Sequence, residues 1–349
     1  MSVADYAARN RFRLGSAVAL VAIAVLAVAL LDVPLGDIVT IGFVERSLRA
    51  ATPIALAAIG GLYAEKSGVF NIGLEGFMIF GAANAAAAVW LIGGDSATQG
   101  DLWLAILAAV AISLVYAAIF AVLLIRYEAD QIVAGLAVWF LGLGFGPFTA
   151  VIIWGNRNSP GLVGIDALTV PGLAGIPVLG PILFNTSPLV MLTAVLAVAA
   201  WVVLYRTKYG YWIQAAGENP EALDTAGVNV TRVRYAAVIF SGAMAGLGGA
   251  VLLAHAGSFT GTGDTMVNGR GWIGIVAYLF GNYNPVGAAA AALLFGGLDM
   301  LQIQFQTAGI DLPNRLVNLF PYAAVIVVLT VWGSTRMPSA VGETYESEE

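Results

Sequence analysis

Cysteine is absent from the 349 residues, which excludes a disulfide framework, a thiolate nucleophile and a thiolate metal site. Histidine occurs once, at His255, so a multi-histidine metal centre is excluded too. Charge is scarce: 10% of residues are charged where a soluble domain carries about 25%, and Lys66 and Lys208 are the only lysines. Acids outnumber bases to a net charge of -6 and the arginines are dispersed, so nothing points to nucleic acid as a partner. The chain is instead 60% hydrophobic, in long runs, which makes it an all-α, polytopic membrane protein with the lipid bilayer as its solvent.

Arg9, Arg11 and Arg13 precede an apolar run over 14–31, long enough to span and long for a signal peptide, so an uncleaved first span with a cytoplasmic N-terminus (1–13) is expected. Further apolar segments fall near 48–64, 71–92, 102–125, 131–153, 188–205, 234–254, 271–281, 285–301 and 316–333, giving about ten transmembrane helices in a membrane region over 14–333. Alternating sides then places 126–130 and 206–234 in the cytoplasm and 154–187 outside, and the basic residues mostly agree, Arg157, Arg270 and Arg315 excepted. That outer stretch holds four prolines, with Pro188 just after it, and should be irregular chain or a short interfacial helix. The tail over 334–349 is acidic and cytoplasmic, and its last part, GETYESEE over 342–349, is expected to be disordered. Four apolar runs begin after Pro53 and four after Arg234, entering from opposite sides, the pattern of an inverted repeat whose interface would hold a transport site.

The polar stretch 206–234 contains a compact helix signal. Asn219 can cap, Pro220 suits the first helical position, Glu221 favours the positive end of the helix dipole, and Gly227 can close it in the left-handed conformation. About seven residues, roughly 10 Å of helix, are not stable alone in water. The apolar face of Ala222, Leu223 and Ala226 therefore needs a surface, either the protein's own helix ends or a second protein; a solvated loop with one ordered turn is the plainer reading.

Polar residues at membrane depth mark two other places. Asn71 and Glu75, four apart and set among Gly68, Gly73 and Gly76, would share one helix face. They would line a translocation path on a broken helix, or lie at a helix end near the interface. Asn268 and Asn282 bracket a run too short to span, again suggesting a broken helix whose polar groups either meet a solute or bond between helices. Asp299 and Gln302 follow, and His255 reads as an interfacial group. No catalytic motif is present. The closest approach to a phosphate-binding loop, GGLYAEKS over 60–67, has Glu65 where glycine is needed, so the chain does not bind ATP by itself.

ATPIALAAIGGLYAEKSGVFNIGLEG over 51–76, GENPEALDTAGVNVTRVR over 217–234, SGAMAGLGGA over 241–250 and GRGWIGIVAYLFGNYNPVGA over 269–288 together resemble the permease subunits of ATP-binding-cassette importers. The group is the one serving branched-chain amino acids, ribose-type sugars and nucleosides, and the likeness, over about 48–332, is greatest to nucleoside and simple-sugar permeases. The resemblance implies a fold like that of the vitamin B12 and ribose importers. It also makes 206–234 a cytoplasmic coupling loop, in which Glu218, Asn219, Pro220, Leu223, Asp224 and Gly227 transmit the motion of an ATPase subunit. That partner would hold ATP and Mg, leaving no cofactor, metal site or catalytic residue in this chain. A second related permease and an extracellular solute-binding lipoprotein would complete an importer of nucleosides or simple sugars in the cell membrane, with both termini cytoplasmic. Asn71, Glu75, Asn268 and Asn282 would line the pathway of the small-molecule solute. Family members often carry arginine where this chain has Gln214, so the polarity of the ATPase contact is expected to differ. The rivals are a branched-chain amino acid or sugar permease of the same class, and an ion-coupled secondary transporter using Glu75 and Asp299.

Overall fold

The structure, a computed structural model, describes residues 40–177, 180–307, 337–343 and 345. The expected first span over 14–31 and the apolar run over 316–333 lie outside the described residues. Among the described residues, six helices are long and apolar enough to cross a membrane.

Two helices form the centre. α1 (Ile41–Lys66) is capped by Thr40, whose side chain accepts from the Phe43 N–H, and is buried almost continuously from Ala51 to Glu65. At about 1.5 Å per residue its 26 residues reach about 39 Å. It starts well before the expected 48–64, because the cap sits ahead of the charged first turns. α8 (Val230–Ala256) is capped by Asn229, and so takes Arg232 and Arg234 from the expected loop into its own first turns. Small residues let the backbones approach: Gly60 lies on Ser241 and Met244, and Gly248 on Pro53 and Leu56.

α2 (Leu74–Gly93) crosses α8 still more closely, with Gly81 on Gly246 and Gly249 on Met78. α3 (Gln99–Ile125) starts at a capping box made by Thr98 and Asp101, and packs Ser113 and Ala117 against Gly246 and Gly242 of α8. α4 (Gln131–Trp154), capped by Asp130, touches α2 through Gly142 and Gly146 and the turn before α2 through Gly135, and buries few other residues, as a lipid-facing helix would. α5 (Pro188–Arg206) lies beside α1, and the Tyr63 hydroxyl donates to the Ala200 carbonyl at 2.6 Å.

The chain beyond α8 does not run straight. Residues 257–269 are irregular, and α9 (Arg270–Phe280) has 11 residues, about 16 Å of helix, too little to span. A tight turn leads into α10 (Pro285–Thr307), which returns along α1 with Gly296 against Ser47 and Ala51. The irregular segment is knitted to 155–165 by Ser159 N–H to Phe259 carbonyl at 2.9 Å and Leu162 N–H to Gly257 carbonyl at 2.7 Å. The 154–187 stretch is largely irregular, as its prolines require, with a two-residue hairpin of β1 (Leu168–Thr169) and β2 (Asn185–Thr186). At the opposite end lie Lys66, Arg126, Arg206, Lys208, Arg232 and Arg234, with α6 (Lys208–Glu218) and α7 (Pro220–Thr225). Periodicity did not announce α6, because its aromatic Tyr209 and Tyr211 are exposed and its burial rests on glycine and alanine.

Candidate functional site

Two places carry the polar residues singled out above. The first is α7 at the basic end. Asn219 caps it as expected, its Oδ1 accepting from the Ala222 N–H at 2.9 Å. Pro220 takes the first position, and Gly227 closes the turn at φ +79° with its N–H donating to the Asp224 carbonyl at 2.7 Å. The helix covers six residues. Replacing Asn219 by alanine should remove about 1 kcal/mol of local stability, read as faster amide exchange at 222–226 with the rest of the protein unchanged.

The apolar face is divided differently from expectation. Ala222 and Ala226 are one turn apart and both exposed, whereas Leu223 is rotated about 100° and buried against Ala216 and Val230. Leu223 therefore anchors α7 to its own chain, and Glu221, Ala222, Thr225 and Ala226 form the outward surface. Glu218 is exposed too, its backbone carbonyl accepting from the Ser339 hydroxyl at 2.6 Å. Gln214 does not face outward as a docking residue. Its amide donates to the Leu204 carbonyl at 2.7 Å and so closes the end of α5.

The second place is where the irregular segments meet. α1 ends at Lys66 and α2 begins at Leu74, so Asn71 lies in the connecting turn and does not share a helix with Glu75. Asn71 is buried, its amide nitrogen donating to Ser241 Oγ at 2.9 Å and its oxygen accepting from the Gly73 N–H at 2.9 Å. Glu75 is 2% exposed in the first turn of α2. Its two carboxylate oxygens accept from the N–H groups of Gly269, at 2.8 Å, and Gly271, at 2.6 Å. One carboxylate thus satisfies the free donors at the start of α9 while sitting at the start of α2, where both helix dipoles favour an anion.

Asn268 and Asn282 are separated by the length of α9 and both are exposed. They adopt φ of +48° and +50°, a left-handed conformation that asparagine accepts more readily than most residues, and so shape the turns on either side of the helix. Arg270 pairs with Asp299 at 2.9 Å across α9 and α10, with side chains 19% and 34% exposed. His255 lies at the end of α8, 2.9 Å from Ser187 Oγ.

Sequence reasoning assigned Glu65 no role. It is fully buried near the end of α1, and the Tyr283 hydroxyl donates to its Oε1 at 2.6 Å. The Tyr205 hydroxyl donates in turn to the Tyr283 carbonyl at 3.1 Å, tying α5 to the α9–α10 turn. An acid one residue from a helix end was the only available signal; partners more than 100 positions away leave none in the local pattern. Among the described residues, no group of three or more acids or histidines could hold a metal ion.

The sequence matches one family model over residues 43–329: the permease component of branched-chain amino acid transport systems. The chain belongs to that permease family. It is a multi-pass membrane protein and a transport component, not an enzyme. It is 37% identical over 311 residues to the guanosine ABC transporter permease protein NupQ of Bacillus subtilis, covering 86% of this chain and 95% of that one. It is 34% identical over 309 residues to the nucleoside ABC transporter permease protein NupC of Lactococcus lactis, covering 86% and 96%. The glucose ABC transporter permease protein TsgB13 of Haloferax volcanii is 27% identical over 330 residues, covering 90% and 83%. No solved structure gives a significant match.

Proposed function

We propose that this permease imports an uncharged solute, a nucleoside or a simple sugar, with ATP and Mg held by a separate ATPase subunit that docks on α7. The observation that carries the reading is the two-sided build of α7: Leu223 is buried against its own chain, while Glu221, Ala222, Thr225 and Ala226 stand exposed at the basic end. A helix this short moves with whatever grips it. The relatives' names support a nucleoside or sugar as cargo. So does Glu75, because the N–H groups of Gly269 and Gly271, which would suit the carboxylate of an amino acid, are already taken.

A second, related permease and an extracellular solute-binding lipoprotein complete the assembly in the cell membrane, with both termini and 206–234 cytoplasmic. The exposed Asn268 and the partly exposed Arg270–Asp299 pair support a face turned toward that second permease and a polar path, since such groups are expensive against lipid. Asn71 and Glu75 act behind this face by holding the helix ends; Asn268 and Asn282 are its solute-side candidates. The meeting of α2 and α9 at Glu75 supports the inverted repeat and a fold like that of the vitamin B12 importer.

Vesicles holding this chain with its partners should take up labelled guanosine only when ATP is supplied, and an excess of leucine should not compete. Uptake by this chain alone on an ion gradient would refute the reading. Ala222→Arg should cut uptake at least about tenfold by blocking the exposed face of α7, with the amount of permease in the membrane unchanged.

A further inference from the structure

Residues 337–343 and Tyr345 are built into the basic end, although the chain from Gly342 onward is expected to be disordered. The Ala340 N–H donates to the Gly217 carbonyl at 2.9 Å, in the last turn of α6, and the Gly342 N–H donates to the Gly68 carbonyl at 3.1 Å, in the α1–α2 turn. The ends of α6 and α1 already touch, since a Cβ on Gly217 would overlap the Lys66 carbonyl. The Ser339 hydroxyl reaches the Glu218 carbonyl, and the Tyr345 hydroxyl donates to Asp224 Oδ2 at 2.8 Å while its ring packs on the cluster around Leu223.

Arg234 makes this arrangement more than a tail lying on a surface. It is 5% exposed in α8, and its guanidinium donates to the Glu343 carbonyl at 2.9 Å and the Ala216 carbonyl at 3.5 Å. A buried cation without acceptors costs several kcal/mol, and the shorter of these two bonds comes from the 337–345 segment. The segment thus completes a polar interior that the membrane helices leave open.

We propose that 337–343 with Tyr345 forms a strap that carries the motion of α7 to the α1–α2 turn, with Tyr345, which reaches α7, and Arg234, which holds Glu343, as positioning residues. The strap holds α7 at Asp224 and the α1–α2 turn at Gly68, and Gly68 is three residues from Asn71 and seven from Glu75. Displacement of the docked helix pulls on the turn that sets the start of α2, and through Glu75 on the start of α9. The proposal rests on α7 being the ATPase-docking element.

The test uses the complete importer in vesicles and reads ATP hydrolysed per solute taken up. Deleting 339–349 should lower uptake about tenfold while the ATPase subunit stays bound and hydrolysis stays within about twofold, so that ATP per solute rises about tenfold. Tyr345→Ala should raise it about fivefold, and Tyr345→Phe, which keeps the ring, about twofold. An unchanged ratio, or uptake and hydrolysis falling together, overturns the strap. Because a deletion can fail to fold, amide exchange in the wild-type complex is the second measurement. A non-hydrolysable ATP analogue should change exchange at 68–73 as well as at 220–227. A change at 220–227 alone overturns the strap and leaves the docking assignment standing; no change at 220–227 removes the docking assignment and the strap with it.

Discussion

A single methyl group placed on Gly249 is expected to destroy the folded permease. Its Cβ would overlap the Met78 carbonyl, and one on Gly81 would overlap the Gly246 carbonyl, so α2 and α8 are held in backbone contact from both sides. Backbone atoms inside helices cannot rotate away as a side chain can, and the two helices would have to separate along their crossing. Overpacking costs about 1–3 kcal/mol where side chains can yield, and about 3 kcal/mol or more is expected here. Gly249→Ala and Gly81→Ala should each leave little monodisperse protein after detergent extraction. Gly144→Ala, on α4 with open space around it, should behave as wild type. Wild-type yield and melting temperature for Gly249→Ala would show that the α2–α8 crossing is not this close.

Glu75 is the second position where a large loss is expected. Leucine there leaves the Gly269 and Gly271 N–H groups without acceptors in a buried place, and removes the anion from two helix starts. Charge-assisted hydrogen bonds are worth about 1.5–3 kcal/mol each, so Glu75→Leu should destabilise by about 3 kcal/mol or more and abolish uptake. Glutamine keeps one acceptor oxygen and nearly the same shape, and should lose about half as much. The order wild type, glutamine, leucine should appear both in melting temperature and in amide exchange over 269–274. Equal stability of all three would mean that the carboxylate does not hold α9.

This view of Glu75 also explains why its role was only half legible. That an acid within an apolar run must face a partner follows from its cost in lipid, and the sequence alone required one. The partner is backbone nearly 200 residues away, at a helix start that no side-chain pattern marks. Asn268 and Asn282 show the opposite case. Their presence in a polar break suggested a solute contact, and their left-handed backbone gives a local reason for asparagine at each position.

Local chemistry was sufficient for much of this protein. Scarce charge and long apolar runs determine an all-α membrane protein, and Asn219, Pro220 and Gly227 specify a short helix without help from distant residues, because capping and left-handed closure are decided within a few positions. Tertiary structure alone decided which face of that helix is free, how closely α2 and α8 approach, what Glu75 and Glu65 bond to, and that 337–345 docks. Each of those depends on contacts between segments far apart in the chain, and backbone donors and carbonyls, which look the same at every residue, leave no trace of such contacts in the sequence.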